Sequence, residues 1–147
     1  MKKYQFKLEK VLRVKTIELD TLTAVLNHIR YEIKQVEHRI QELNQAHIEL
    51  EKAYIVQINK SFSGSELRQY NFNKETIKYQ IEQCTNSLKE LKLKENIQLN
   101  KVVEKKKEEN ILSKLDEKQF EQYTKQALKK ENQILDEMLV MKMNFKG

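Results

Sequence analysis

The sequence predicts an all-α fold: two long helices in an antiparallel coiled-coil hairpin, the second longer than the first. Three observations support this. A seven-residue apolar repeat runs through the first 54 residues. The 147-residue chain has no proline, and its only glycines are Gly64 and Gly147. One short polar stretch, Asn59-Lys-Ser-Phe-Ser-Gly-Ser65, is the single place where a helix is punctuated.

The repeat places a positions at Leu8, Lys15, Leu22, Ile29, Val36, Leu43 and Leu50. It places d positions at Leu12, Leu19, Leu26, Ile33, Ile40, His47 and Tyr54. All but Lys15 and His47 are apolar or aromatic, so the period of 3.5 lines one narrow helical stripe that has to bury against another helix. The first helix is expected over residues 4–59, the turn over 60–65 and the second helix over 66–143, as one coiled-coil domain spanning 1–147. In the turn, Gly64 is expected to supply a permissive backbone. Ser63 and Glu66 have the spacing of a capping box at the next helix start.

The second helix begins with Leu67, Tyr70, Ile77, Ile81, Cys84, Leu88 and Leu91 at the same spacing, broken only by Lys74. Between Lys92 and Asn110 the stripe degrades to Glu95, Gln98, Lys105 and Glu109, with Val102 alone apolar. A turn centred near Ser63 sets Leu50 against Ile77, Leu43 against Cys84, Val36 against Leu91 and Leu12 against Leu115. It also sets Leu22 against Lys105, a poor match. At 1.5 Å per residue the helices span about 85 and 120 Å. The second is therefore expected to outrun the first from about Lys125 onward. That overhang carries Leu128, Ile134, Leu135, Met138, Leu139, Met141 and Phe145 with no internal partner, the kind of surface that marks a binding site.

Composition points to positioning and partner contact rather than chemistry. Charged residues are 34% and aromatics 7%, as suits solvated helices. His28, His38 and His47 lack ligand spacing, the carboxylates alternate with lysines, and there is no glycine-rich phosphate loop. The expectation is no enzyme, no cofactor and no metal. No apolar run approaches bilayer length and none resembles a secretory leader, so no membrane insertion is expected. One cysteine excludes an internal disulfide and fits a reducing cytoplasm. The net charge of +6 includes an excess at Lys2, Lys3, Lys7, Lys10, Arg13 and Lys15, against Glu9, and a run at Lys105-Lys106-Lys107. The basic stretches lack the interleaved aromatics that stack bases, so the expected partner is protein and not nucleic acid. Near the turn, Tyr54 and Tyr70 occupy seam positions, whereas Phe72 falls outside the seam and is expected to be an exposed anchor.

The opening Tyr4-Gln5-Phe6-Lys7-Leu8-Glu9-Lys10-Val11-Leu12-Arg13-Val14-Lys15 resembles the start of FliJ-type flagellar export proteins, with their aromatic-x-Phe-x-Leu-x-x-Val/Ile-Leu-x-x-Lys pattern. The Leu67-Arg68-Gln69-Tyr70 stretch after the turn agrees with that resemblance. It implies a cytoplasmic stalk, peripheral to the inner face of the membrane at the flagellar base. Such a stalk sits in the flagellar export ATPase hexamer, contacts the cytoplasmic domain of the membrane export gate and is linked to export chaperones. Gate contacts carried over are Leu50, Tyr54, Tyr70, Asn73, Ile77 and Cys84. Asn73 departs from an aromatic common in the family, with Phe72 one step away. ATPase-ring contacts carried over are Phe6, Lys7, Lys10, Arg13, Leu135, Met138 and Leu139. The alternatives are the equivalent stalk of a virulence-type secretion system, or a coiled-coil scaffold that dimerises.

Overall fold

A computed structural model describes residues 3–146; Met1, Lys2 and Gly147 lie outside the described residues. The described chain is all-helical, with α1 at Glu9–Ile58 and the longer α2 at Gly64–Lys146. The two helices pack on each other in antiparallel fashion. The structure falls into two compact units, Leu22–Lys101 and Met1–Thr21 with Val102–Gly147.

In the Leu22–Lys101 unit the core is the predicted stripe. Leu26, Ile33 and Leu43 are buried, Leu26 most of all at 3% exposure. Val36, Ile40, Cys84, Leu88 and Leu91 are half-buried, which is all that two helices can achieve. The turn differs in detail from expectation. Ser63 Oγ accepts the Glu66 N–H (3.2 Å), as a cap should. The Glu66 carboxylate, however, accepts from Gln57 Nε2 across the turn (3.0 Å). Gly64 is the first residue of α2 and has no positive φ. An added methyl group would meet nothing within 4 Å, so no steric or conformational demand for glycine exists at this position.

The pairing is also displaced from the expected register. The alignment that sets Leu50 against Ile77 puts Tyr54 opposite Asn73, whereas the Tyr54 ring stacks on Tyr70 with centroids 4.0 Å apart. Arg30 reaches Glu95 (3.3 Å). The degraded stretch of α2 proves to be a polar seam. Gln98 is buried at 7% exposure and donates from Nε2 to the Leu22 carbonyl (3.0 Å). A satisfied buried amide tolerates little sliding, because a shifted register leaves it without a partner.

The second unit holds its seam by charge. Lys105 Nζ lies 2.7 Å from Glu18 and 3.2 Å from Glu108, and Lys15 Nζ lies 3.0 Å from Glu108. The lysine expected opposite Leu22 thus pairs with Glu18. The hydrogen bond from Lys105 holds the Glu18 carboxyl below its ordinary range, and that from Lys15 does the same for Glu108. Glu18 and Glu108 in turn raise Lys105.

The chain start also departs from expectation. Residues 3–8 are not helical, so α1 does not begin at Tyr4. They form a strap whose Phe6 is buried and whose carbonyl accepts the Glu9 N–H (3.2 Å). The Tyr4 ring packs edge-on against Phe120 (5.2 Å) and tilted against Tyr123 (5.5 Å). Its hydroxyl donates to the Asp116 carboxylate and lies 3.1 Å from the Asp116 carbonyl. Loss of water around the phenol, then the hydrogen bond and charge of Asp116, push its pKa up to about 12.

Two predictions follow from these local features. Gly64→Ala is expected to stabilise the fold by about 0.5–1 kcal/mol, read as a higher thermal midpoint, because it restricts the unfolded chain without strain in the helix. A lower midpoint would mean that Gly64 is needed for the turn. For Tyr4, the fold holds the phenol protonated. Its contribution is therefore complete below the ordinary value of 10.0 and fades as pH rises toward about 12. The difference in phenolate absorbance between wild type and Tyr4→Phe should titrate near 12; a difference centred near 10 would mean that the strap is undocked.

Candidate protein-interaction sites

Leu50, Tyr54, Tyr70, Asn73 and Ile77 of the turn-side candidates are brought together on one surface of the Leu22–Lys101 unit. The Tyr54 ring stacks on Tyr70 at 14° between planes and meets Phe62 edge-on at 5.2 Å. Lys74 Nζ lies 5.9 Å above the Tyr70 ring. Leu50, Tyr54, Tyr70 and Asn73 line a cleft of about 210 Å³ with Gln57, Phe62 and Glu66. A second, shallower groove of about 430 Å³ continues from it along Leu50, Asn73 and Ile77. Asn73 is oriented by Gln69, whose Nε2 donates to its Oδ1 (3.1 Å). Cys84 is half-buried and lines neither groove.

Phe72 stands apart from the tyrosine stack and is 67% exposed, with Leu67, Ile55, Val56 and Ile58 also exposed near the turn. Its exposure follows from the heptad, since it falls outside the a and d positions. Phe62 was missed by the sequence reading. It sits in the turn, where periodicity gives no signal, and its role as a lid on Tyr54 is visible only in three dimensions.

The other candidate surface belongs to the second unit. Tyr4 covers Asp116, Phe120 and Tyr123 of α2. From Tyr123, two steps of four to Ala127 and Glu131 lead into a line that alternates three and four through Ile134, Met138, Met141 and Phe145. Beyond Ala127 every residue through Phe145 is exposed, and Phe145 reaches 90%. Leu128, Leu135 and Leu139 widen this line into an apolar face, and Met143 is exposed beside it. The unpaired tail read from the sequence is therefore a real surface. Among the basic candidates, Lys7, Lys10 and Arg13 are exposed, and Arg13 is bridged to Glu9 at 3.4 Å. Phe6 is buried, so its side chain holds the strap and does not face solvent. Lys2 lies outside the described residues.

Each histidine sits one turn before a glutamate on α1. The Nε2–Oε1 distances are 2.8 Å for His28–Glu32, 2.8 Å for His38–Glu42 and 3.2 Å for His47–Glu51. Among the described residues, no group of three or more His, Cys, Asp or Glu side chains could hold a metal ion. No helix there is long and apolar enough to cross a membrane.

A family model described as Flagellar FliJ protein matches residues 4–147. The chain belongs to the FliJ family. The match covers the strap, both helices and the tail, which places the protein in flagellar export. No curated protein and no solved structure matches the chain.

The tyrosine stack and Phe72 are separable. Tyr70→Ala should lower stability by about 1–3 kcal/mol, because it removes a stacked seam ring. Phe72→Ala should change it by less than about 0.5 kcal/mol. Denaturant unfolding of both variants checks this, and a comparable loss in Phe72→Ala would place that ring inside the fold.

Proposed function

We propose that this FliJ-family chain is a non-enzymatic stalk of the flagellar export ATPase. In this reading it seats its terminal surface in the hexameric ring and offers its turn side to the cytoplasmic domain of the membrane export gate. It works in the cytoplasm against the inner face of the membrane during flagellum assembly, and export chaperones are further partners. The observation that carries the reading is the apolar tail of α2, which continues a seam line past its last internal cover. A surface with that much exposed Leu, Ile, Met and Phe is costly in water unless a partner covers it.

Leu135, Met138 and Leu139 supply the apolar contact to the ring in this reading. Lys7, Lys10 and Arg13 supply charge complementarity, and buried Phe6 contributes by holding the strap. At the gate, Phe72 is the exposed anchor. Leu50, Tyr54, Tyr70, Asn73 and Ile77 form the grooved floor beside it, and half-buried Cys84 acts through packing.

Deleting residues 125–147 should leave the helices paired by circular dichroism and abolish stimulation of the flagellar export ATPase. Undiminished stimulation would sink the ring assignment. Reversing Lys7, Lys10 and Arg13 to Glu should weaken the same interaction, with a loss that shrinks as salt is raised. Phe72→Ala should weaken calorimetric binding to the gate's cytoplasmic domain by about 1–3 kcal/mol while sparing the ATPase; equal affinity would remove Phe72 from the site.

A further inference from the structure

We infer that the exposed tail of α2 also pairs with the tail of a second copy of this chain, antiparallel and two-fold symmetric. The proposal does not depend on the ring reading, and pairing would hide the same surface until another partner competes for it.

The tail is self-complementary in one register. Its line of Ala127, Glu131, Ile134, Met138, Met141 and Phe145 repeats at alternating spacings of four and three, as a coiled-coil seam does. Laid antiparallel on itself with the two-fold axis beside Leu135, it sets Ile134 against Met138 of the second copy. It likewise sets the smallest seam residue, Ala127, against the largest, Phe145. Leu135, one residue from the axis on the flank of the seam, then lies about 3 Å along the helix from its own symmetry mate. The single charged seam residue, Glu131, falls opposite Met141 and next to Lys142 of the second copy, and symmetry makes that ion pair twice. A charge placed where its partner arrives with the opposite sign fixes register as well as attraction.

The energetics favour a weak association. The tail is already helical as the end of α2, so pairing incurs no nucleation penalty. About 19 residues make a contact roughly 28 Å long. At a width of about 10 Å it covers roughly 280 Å² per copy, about a third of the roughly 800 Å² typical of stable complexes, which is why the association is weak. Exposed methionines adapt well to such a surface.

Sedimentation velocity on the full chain, over micromolar to millimolar loading, should show mass rising from one chain toward two. Glu131→Lys or Lys142→Glu alone should raise the dissociation constant about tenfold, and the two together should restore it. With Cys84 replaced by Ser and helicity confirmed, Leu135→Cys should cross-link between chains under mild oxidation, whereas Ala127→Cys should not. A monomer at every concentration overturns the proposal and leaves the tail to another protein. Cross-linking through Ala127→Cys means parallel pairing, and a double reversal that fails to recover means a different register; either overturns it.

Discussion

With only two helices, a side chain has at most one neighbouring helix to hide against. Everything else in this protein depends on that restriction. The buried apolar residues among those described are Phe6, Leu19, Leu26, Ile33 and Leu43, and none of the large side chains there is completely shielded from water. Apolar burial of that extent favours pairing but discriminates poorly between one alignment and the next. The chain therefore needs other devices to choose its alignment, and its polar cross-helix contacts supply them. Gln98 on the Leu22 carbonyl and Arg30 on Glu95 act in one unit. The Lys15, Glu18, Lys105 and Glu108 cluster acts in the other.

The heptad was legible because burial on one stripe imposes a period. Leu19, Leu26, Ile33 and Leu43 sit where the repeat puts them, and Ser63 caps α2 as its spacing suggests. The register was less legible for the same reason. A periodic stripe pairs almost equally well after a slide, and the contacts that select one alignment are polar and aperiodic. Lys92 to Asn110 looked like decay of the pattern, although it contains the groups that fix the alignment. Tyr4 and Phe6 were read as the beginning of a helix. The docking of Tyr4 onto Asp116, Phe120 and Tyr123 joins positions more than a hundred residues apart, which no local pattern announces.

The two candidate surfaces differ in legibility along the same lines. The tail could be read by arithmetic, since one predicted helix outlasts the other. The turn-side surface could be read residue by residue but not as a shape. Leu50, Tyr54, Tyr70, Asn73 and Ile77 converge on adjoining grooves, while Phe62, which closes over Tyr54, gave no advance sign. FliJ-family membership places the chain in flagellar export, and the proposed stalk role rests on these two surfaces.

The methionines of the tail have a chemical consequence as well. Met138, Met141 and Met143 are all more than 60% exposed, so an oxidant reaches their sulfurs without any unfolding. Conversion to the sulfoxide would turn pliable apolar side chains into polar, chiral ones on the face that the proposed docking dehydrates. The helix itself would survive, because its backbone bonds do not involve those sulfurs. Oxidative damage in this protein would therefore weaken the proposed tail contacts while leaving the helices folded, and methionine sulfoxide reductases could reverse it.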